Sequence, residues 1–114
     1  MVTAMVVGLA LALPAGAVAQ ERPRYDVPAG YAKCPGVEAW NGFFKWVSVR
    51  HTTCRRARRF LRAYAAASGA GPMPRRLGGF ACTIRYWRDE EGDPYASRHR
   101  CARDRAVIRF YGMV

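Results

Sequence analysis

The 114-residue chain is poor in the side chains from which catalytic and metal sites are commonly built: two histidines, and eight acids against nineteen bases. It contains no GxSxG, glycine-rich phosphate loop or HExxH, so nothing in its motifs points to a nucleophile-elbow hydrolase, a P-loop nucleotide enzyme or a zincin. CxxC and HxxxH are absent too, so no two metal ligands fall on one turn or knuckle. No internal repeat or low-complexity segment occurs. Lysine is scarce: only Lys33 and Lys45 accompany the arginines, a bias that a GC-rich coding sequence explains without any ligand.

Charge is missing altogether from the first nineteen residues, MVTAMVVGLALALPAGAVA. Their apolar core from Met5 to Leu13 and the small triplet Ala17-Val18-Ala19 follow the pattern of a secretory signal peptide, although the n-region's only positive charge is the amino terminus. Pro14 interrupts the run well short of the roughly 20 apolar residues a bilayer span needs. We expect 1–19 to be the signal peptide, with cleavage near Ala19 and a secreted or extracytoplasmic product. No cysteine stands at the cleavage point, which argues against a lipoprotein anchor.

What is present sets up one small domain. Residues 20–114 are too few to bury a large core without staples. Four cysteines, Cys34, Cys54, Cys82 and Cys101, read as a disulfide framework in an exported chain; the rival is a metal site completed by His51 or His99. Three connectivities remain open. We favour Cys82 with Cys101 and Cys34 with Cys54, and the competitor is Cys54 with Cys101. A bridge closing a loop of this size contributes about 3 kcal/mol in the chain-entropy account, so reduction should unfold the domain.

Residues 20–42, rich in proline, read as an extended N-terminal arm; 43–114 form the folded domain. FFKWVSVR alternates as a strand, with Phe43, Val47 and Val49 on one side and Phe44, Trp46, Ser48 and Arg50 on the other. Thr52 or Thr53 can cap a helix that Gly69 ends. On a helical wheel Cys54, Ala57, Leu61, Tyr64, Ala65 and Ser68 share one side and Arg55, Arg56, Arg58, Arg59 and Arg62 the other. GAGPMPRRLG is a loop, and Phe80 to Arg88 alternates as a strand. DEEGDPYASR reads as a surface hairpin loop, followed by a strand around His99 to Ala102, a turn near Asp104 and a final strand, AVIRFYG. The fold expected is α+β, one amphipathic helix packed on a small antiparallel sheet in the order β-α-β-β-β, stapled by two disulfides.

A cysteine before a strand, the helix start Thr52-Thr53-Cys54 with Ala57-Arg58, then Gly79-Phe80-x-Cys82, Cys101 and a terminal Val-Ile-x-Phe strand resemble small exported four-cysteine proteins common in high-GC Gram-positive bacteria. The resemblance implies export, disulfides and an α+β fold. It implies no catalytic residue.

The net charge of +11 favours phosphate, teichoic-type polymers, anionic lipids or acidic proteins as partners. In the helix, Arg55 with Arg59 and Arg58 with Arg62 are like charges at i,i+4, each pair costing about 0.2 to 0.5 kcal/mol, and Arg55 and Arg56 oppose the helix dipole. A partner's anions, the acidic loop from Asp89 to Asp93, or packing alone could offset that cost. The polyanion-binding candidates are therefore Arg55, Arg56, Arg58, Arg59 and Arg62, joined by Arg75 and Arg76 from the following loop. A second candidate is an aromatic platform of Trp46, Arg85, Trp87, Arg109 and Tyr111, which would stack bases or sugars unless the arm covers it. A protein-interaction or enzyme-inhibitor domain anchored on an aromatic such as Trp87 is the alternative function. The weakest is a small secreted ribonuclease-like enzyme using Glu90 or Glu91, Arg85 and His99. His51 reads as capping or preceding the helix and His99 as an ordinary strand residue. No catalytic residue, cofactor or metal is assigned. The primary expectation is an exported basic binding module for an anionic polymer, an anionic lipid surface or an acidic protein.

Overall fold

The computed structural model describes residues 22–39, 42–69 and 73–113. The proposed signal peptide and its cleavage point lie outside the described residues. Seven strands and one helix follow in the order β1 (Ala32–Lys33), β2 (Val37–Ala39), β3 (Gly42–Arg50), α1 (Cys54–Gly69), β4 (Arg76–Leu77), β5 (Phe80–Arg88), β6 (Pro94–Arg103) and β7 (Ala106–Met113). All pairings are antiparallel, in the spatial order β1-β3-β7-β6-β5-β4, with β2 also pairing β3. The one helix on an antiparallel sheet and the two disulfides, Cys34–Cys54 and Cys82–Cys101, are as expected.

The element count differs from β-α-β-β-β, for local reasons. The arm folds back along β3, setting Ala32 opposite Val49 and Val37 opposite Phe44, so its end becomes β1 and β2. β4 forms because Gly78 and Gly79, both at positive φ, close a two-residue turn that Leu77 and Phe80 flank as partners. The stretch assigned to a loop through Arg98 is a loop only to Asp93. β6 starts at Pro94, a first-residue position at which the missing N–H costs little.

The β3 side-chain pattern also departs from simple alternation. A register shift between Lys45 and Ser48, with Trp46 at φ 53°, inserts an extra residue. Phe44 consequently joins Val47 and Val49 in the core, whereas strict alternation puts it on the opposite side.

Thr53 caps α1, accepting a hydrogen bond from the Arg56 N–H at 3.2 Å. Ala57, Leu61, Tyr64 and Ala65 face the sheet as the wheel predicts, together with Phe60. They pack on Phe44, Val47, Val49, Cys101, Ile108 and Phe110 to form the main core. Cys82 and Cys101 stand directly opposite each other in the β5–β6 register, with their Cα atoms 4.0 Å apart.

The other sheet face carries a smaller core of Trp87, Ala96 and Tyr111 beneath Tyr25 of the arm. Arg109 donates to the Asp26 carbonyl (2.8 Å) and carboxylate (3.0 Å), and the Tyr111 hydroxyl lies 2.6 Å from the Arg24 carbonyl oxygen. These contacts fasten the arm across the sheet.

Candidate functional site

The helix arginines are set by the amphipathic period that buries the opposite stripe. Arg55, Arg56, Arg58, Arg59 and Arg62 are all exposed, and the first turn contains no acid. The acidic loop does not reach them. Asp89 instead closes the loop on itself, accepting 2.9 Å bonds from the N–H groups of Glu91 and Asp93, while Arg88 donates to the Gly92 carbonyl. Asp89 and Glu90 lie beside Arg22, Pro23, Tyr25 and Tyr95 at the arm. Among the described residues no ion pair joins the loop's acids to the helix arginines.

The helix separates two grooves. Arg58 and Arg62 share one of about 940 Å³ with Lys33, Lys45, Glu38 and Trp46. Lys33 Nζ sits 5.0 Å from the Trp46 ring centroid, a cation–π contact at the rim. Arg56 and Arg59 border the other, of about 790 Å³, with Arg103 at the end of β6 and Asp104 and Arg105 of the β6–β7 turn, beside Phe60, Leu77 and Phe80. Arg103 is held there by donating to the Gly78 carbonyl at 3.2 Å, and Gly79 leaves room for it: a Cβ at that position would come within 3.2 Å of the Arg103 side chain. Arg75 and Arg76 are exposed at the β4 edge and line neither groove. Lys33, Lys45, Arg103 and Arg105 escaped the sequence reading because tertiary pairing alone brings them beside the helix.

The five platform residues do not make one open surface. Tyr111 is fully buried and Trp87 is 6 % exposed, both under the arm, whereas Trp46 lies across the molecule in a helix groove. Arg85 and Arg109 instead join Arg98 and Arg100 around a pocket of about 320 Å³ on the sheet face away from the helix. The alternation Ser97-Arg98-His99-Arg100-Cys101 signals that Arg98 and Arg100 share a face; assigning Arg98 to a loop concealed it.

The residues of the ribonuclease-like alternative are dispersed. His99 is fully buried on the helix side, Arg85 lies on the opposite face and Glu90 in the hairpin loop. Nor is His99 an ordinary strand residue. Its Nδ1 is 2.9 Å from the Tyr64 hydroxyl, its Nε2 is 2.7 Å from Ser97 Oγ, and its ring stacks on Phe110. Burial among these neutral groups pushes its pKa down to about 4 and raises that of Tyr64. The Asp26 pKa is also lowered, by its hydrogen bonds from Arg109 and then Tyr111. Among the described residues no cluster of three or more His, Cys, Asp or Glu could hold a metal, and no helix is long and apolar enough to cross a membrane.

Comparison with known proteins finds no matching family model, curated protein or solved structure.

Proposed function

We propose that this chain is an exported basic module that binds an anionic envelope or extracellular partner through the helix arginines. The observation that carries the reading is the absence, among the described residues, of any intrachain ion pair between the Asp89–Asp93 acids and Arg55, Arg56, Arg58, Arg59 or Arg62. Lys33 and Lys45 on one flank and Arg103 and Arg105 on the other widen the positive surface beyond the helix. Two disulfides favour an oxidising compartment, in keeping with export. The test is retention of the disulfide-intact chain on immobilised heparin compared with neutral dextran. Retention on heparin alone, lost in R55Q/R58Q/R59Q, supports the reading; equal retention on both matrices contradicts it.

A further inference from the structure

The sheet face away from the helix carries a second concentration of charge, independent of the helix reading. Antiparallel register places Arg85 opposite Arg98, Thr83 opposite Arg100, and Arg100 opposite Arg109. Strands about 4.8 Å apart and side chains about 7 Å apart along one strand confine four guanidinium groups to a small area. Like charges directly opposite one another destabilise a sheet, and two such pairs occur side by side here. The six residues lining the pocket, Thr83, Ile84, Arg85, Arg98, Arg100 and Arg109, include no carboxylate; Asp26 approaches from the arm and pairs with Arg109 at 3.0 Å.

The arginines are also positioned. Arg109, 9 % exposed, is fixed by Asp26 and by donating to the Tyr111 hydroxyl at 3.0 Å. Arg85 and Arg98 both lie over Trp87, with guanidinium carbons 4.7 and 5.7 Å from the ring centroid. Such stacking restrains the Arg98 guanidinium while leaving its N–H fork able to bind an oxyanion in bidentate fashion. Thr83 adds a hydroxyl donor next to Arg100.

We infer that Thr83, Arg85, Arg98, Arg100 and Arg109 form a binding site for a phosphate-type oxyanion of one or two phosphoryl groups. The volume of about 320 Å³ suits such a group better than a polymer chain, for which the helix grooves are larger. The free ion and a lipid-borne phosphomonoester present the same chemistry to it.

The test titrates the ¹⁵N-labelled, disulfide-intact chain with inorganic pyrophosphate at constant ionic strength. Saturable amide shifts at Thr83, Arg85, Arg98 and Arg100 are expected, with affinity falling at least tenfold in R98Q/R100Q and changing less than twofold in R55Q/R58Q/R59Q. Removing two like-charge neighbours should leave the thermal midpoint of R98Q/R100Q unchanged or raised, which separates lost binding from lost folding. R98K/R100K, which keeps the charge without the fork, should bind with intermediate affinity. Shifts confined to helix amides, or an unaltered affinity in a folded R98Q/R100Q, would overturn the assignment. Cosedimentation with phosphatidylcholine vesicles carrying phosphatidic acid distinguishes the sources: loss of vesicle binding in R98Q/R100Q points to a headgroup, whereas pyrophosphate binding without cosedimentation points to the free ion.

Discussion

Acidification should destabilise the domain through one buried residue. His99 packs against Tyr64, Ser97, Phe44 and Phe110, none of which offers a negative charge to an imidazolium. Its pKa is pushed down from the ordinary 6.5 to about 4, so the unfolded chain takes up the proton first as pH falls. The stabilisation from the neutral ring is complete above about pH 6.5 and is progressively lost on the way to pH 4. The lowering from 6.5 to about 4, at about 1.4 kcal/mol per pH unit, corresponds to roughly 3 to 4 kcal/mol, a large part of a small domain's stability. Urea unfolding followed by far-ultraviolet circular dichroism at intervals from pH 7.5 to 4.5 should show stability falling by somewhat over 1 kcal/mol per pH unit in the middle of that range. His99→Gln, whose amide can bond both hydroxyls but does not titrate, should flatten the profile. Asp26, with a folded pKa below its ordinary 3.8, contributes stability that is lost only at more acidic pH. A wild-type profile that is flat between pH 6.5 and 4.5, or a His99→Gln profile as steep as wild type, would refute the reasoning.

Gly112→Ala places a Cβ 2.8 Å from Ser97 Oγ, beside the same hydrogen-bonded pair. Overpacking of this kind costs about 1 to 3 kcal/mol and should lower the thermal midpoint by several degrees. Replacing Cys82 and Cys101 together by alanine should cost about 3 kcal/mol in urea unfolding, since their bridge closes a 19-residue separation. Asp26→Asn weakens the arm's hold on Arg109 and should speed tryptic cleavage after Arg24 while the main core retains its circular dichroism; an unchanged cleavage rate would show that Tyr25 and Tyr111 suffice.

The strongest periodicity gave the most transferable reading. The helix, its cap at Thr53 and its buried stripe follow from a single pattern of small, apolar and arginine residues, whereas the disulfide pairing is one preference among three open connectivities until the fold selects it. The β3 bulge did not follow, because an extra residue at Trp46 depends on how β7 pairs with β3 and leaves no local signature in FFKWVSVR. The two arm strands were equally hidden: a short extended segment becomes β1 or β2 only when an edge is offered to it. At the candidate sites, the helix arginines could be found by period, but their partners in the grooves are distant in sequence. His99 illustrates the same limit, since alternation puts it on one face of β6 with Ser97 while its bond to Tyr64 comes from the helix crossing above.

The central claim is that the helix arginines meet a partner's negative charge. Its most direct test is the affinity of the disulfide-intact chain for heparin as a function of salt between 50 and 300 mM, in wild type and in R55Q/R58Q/R59Q. Each arginine that neutralises a polymer charge adds about 0.7 to 0.9 to the slope of log K against log salt. The wild-type affinity should therefore fall steeply, and the variant's slope should be shallower by about 2 to 3. A wild-type affinity insensitive to salt, or a slope unchanged in the variant, would contradict the account.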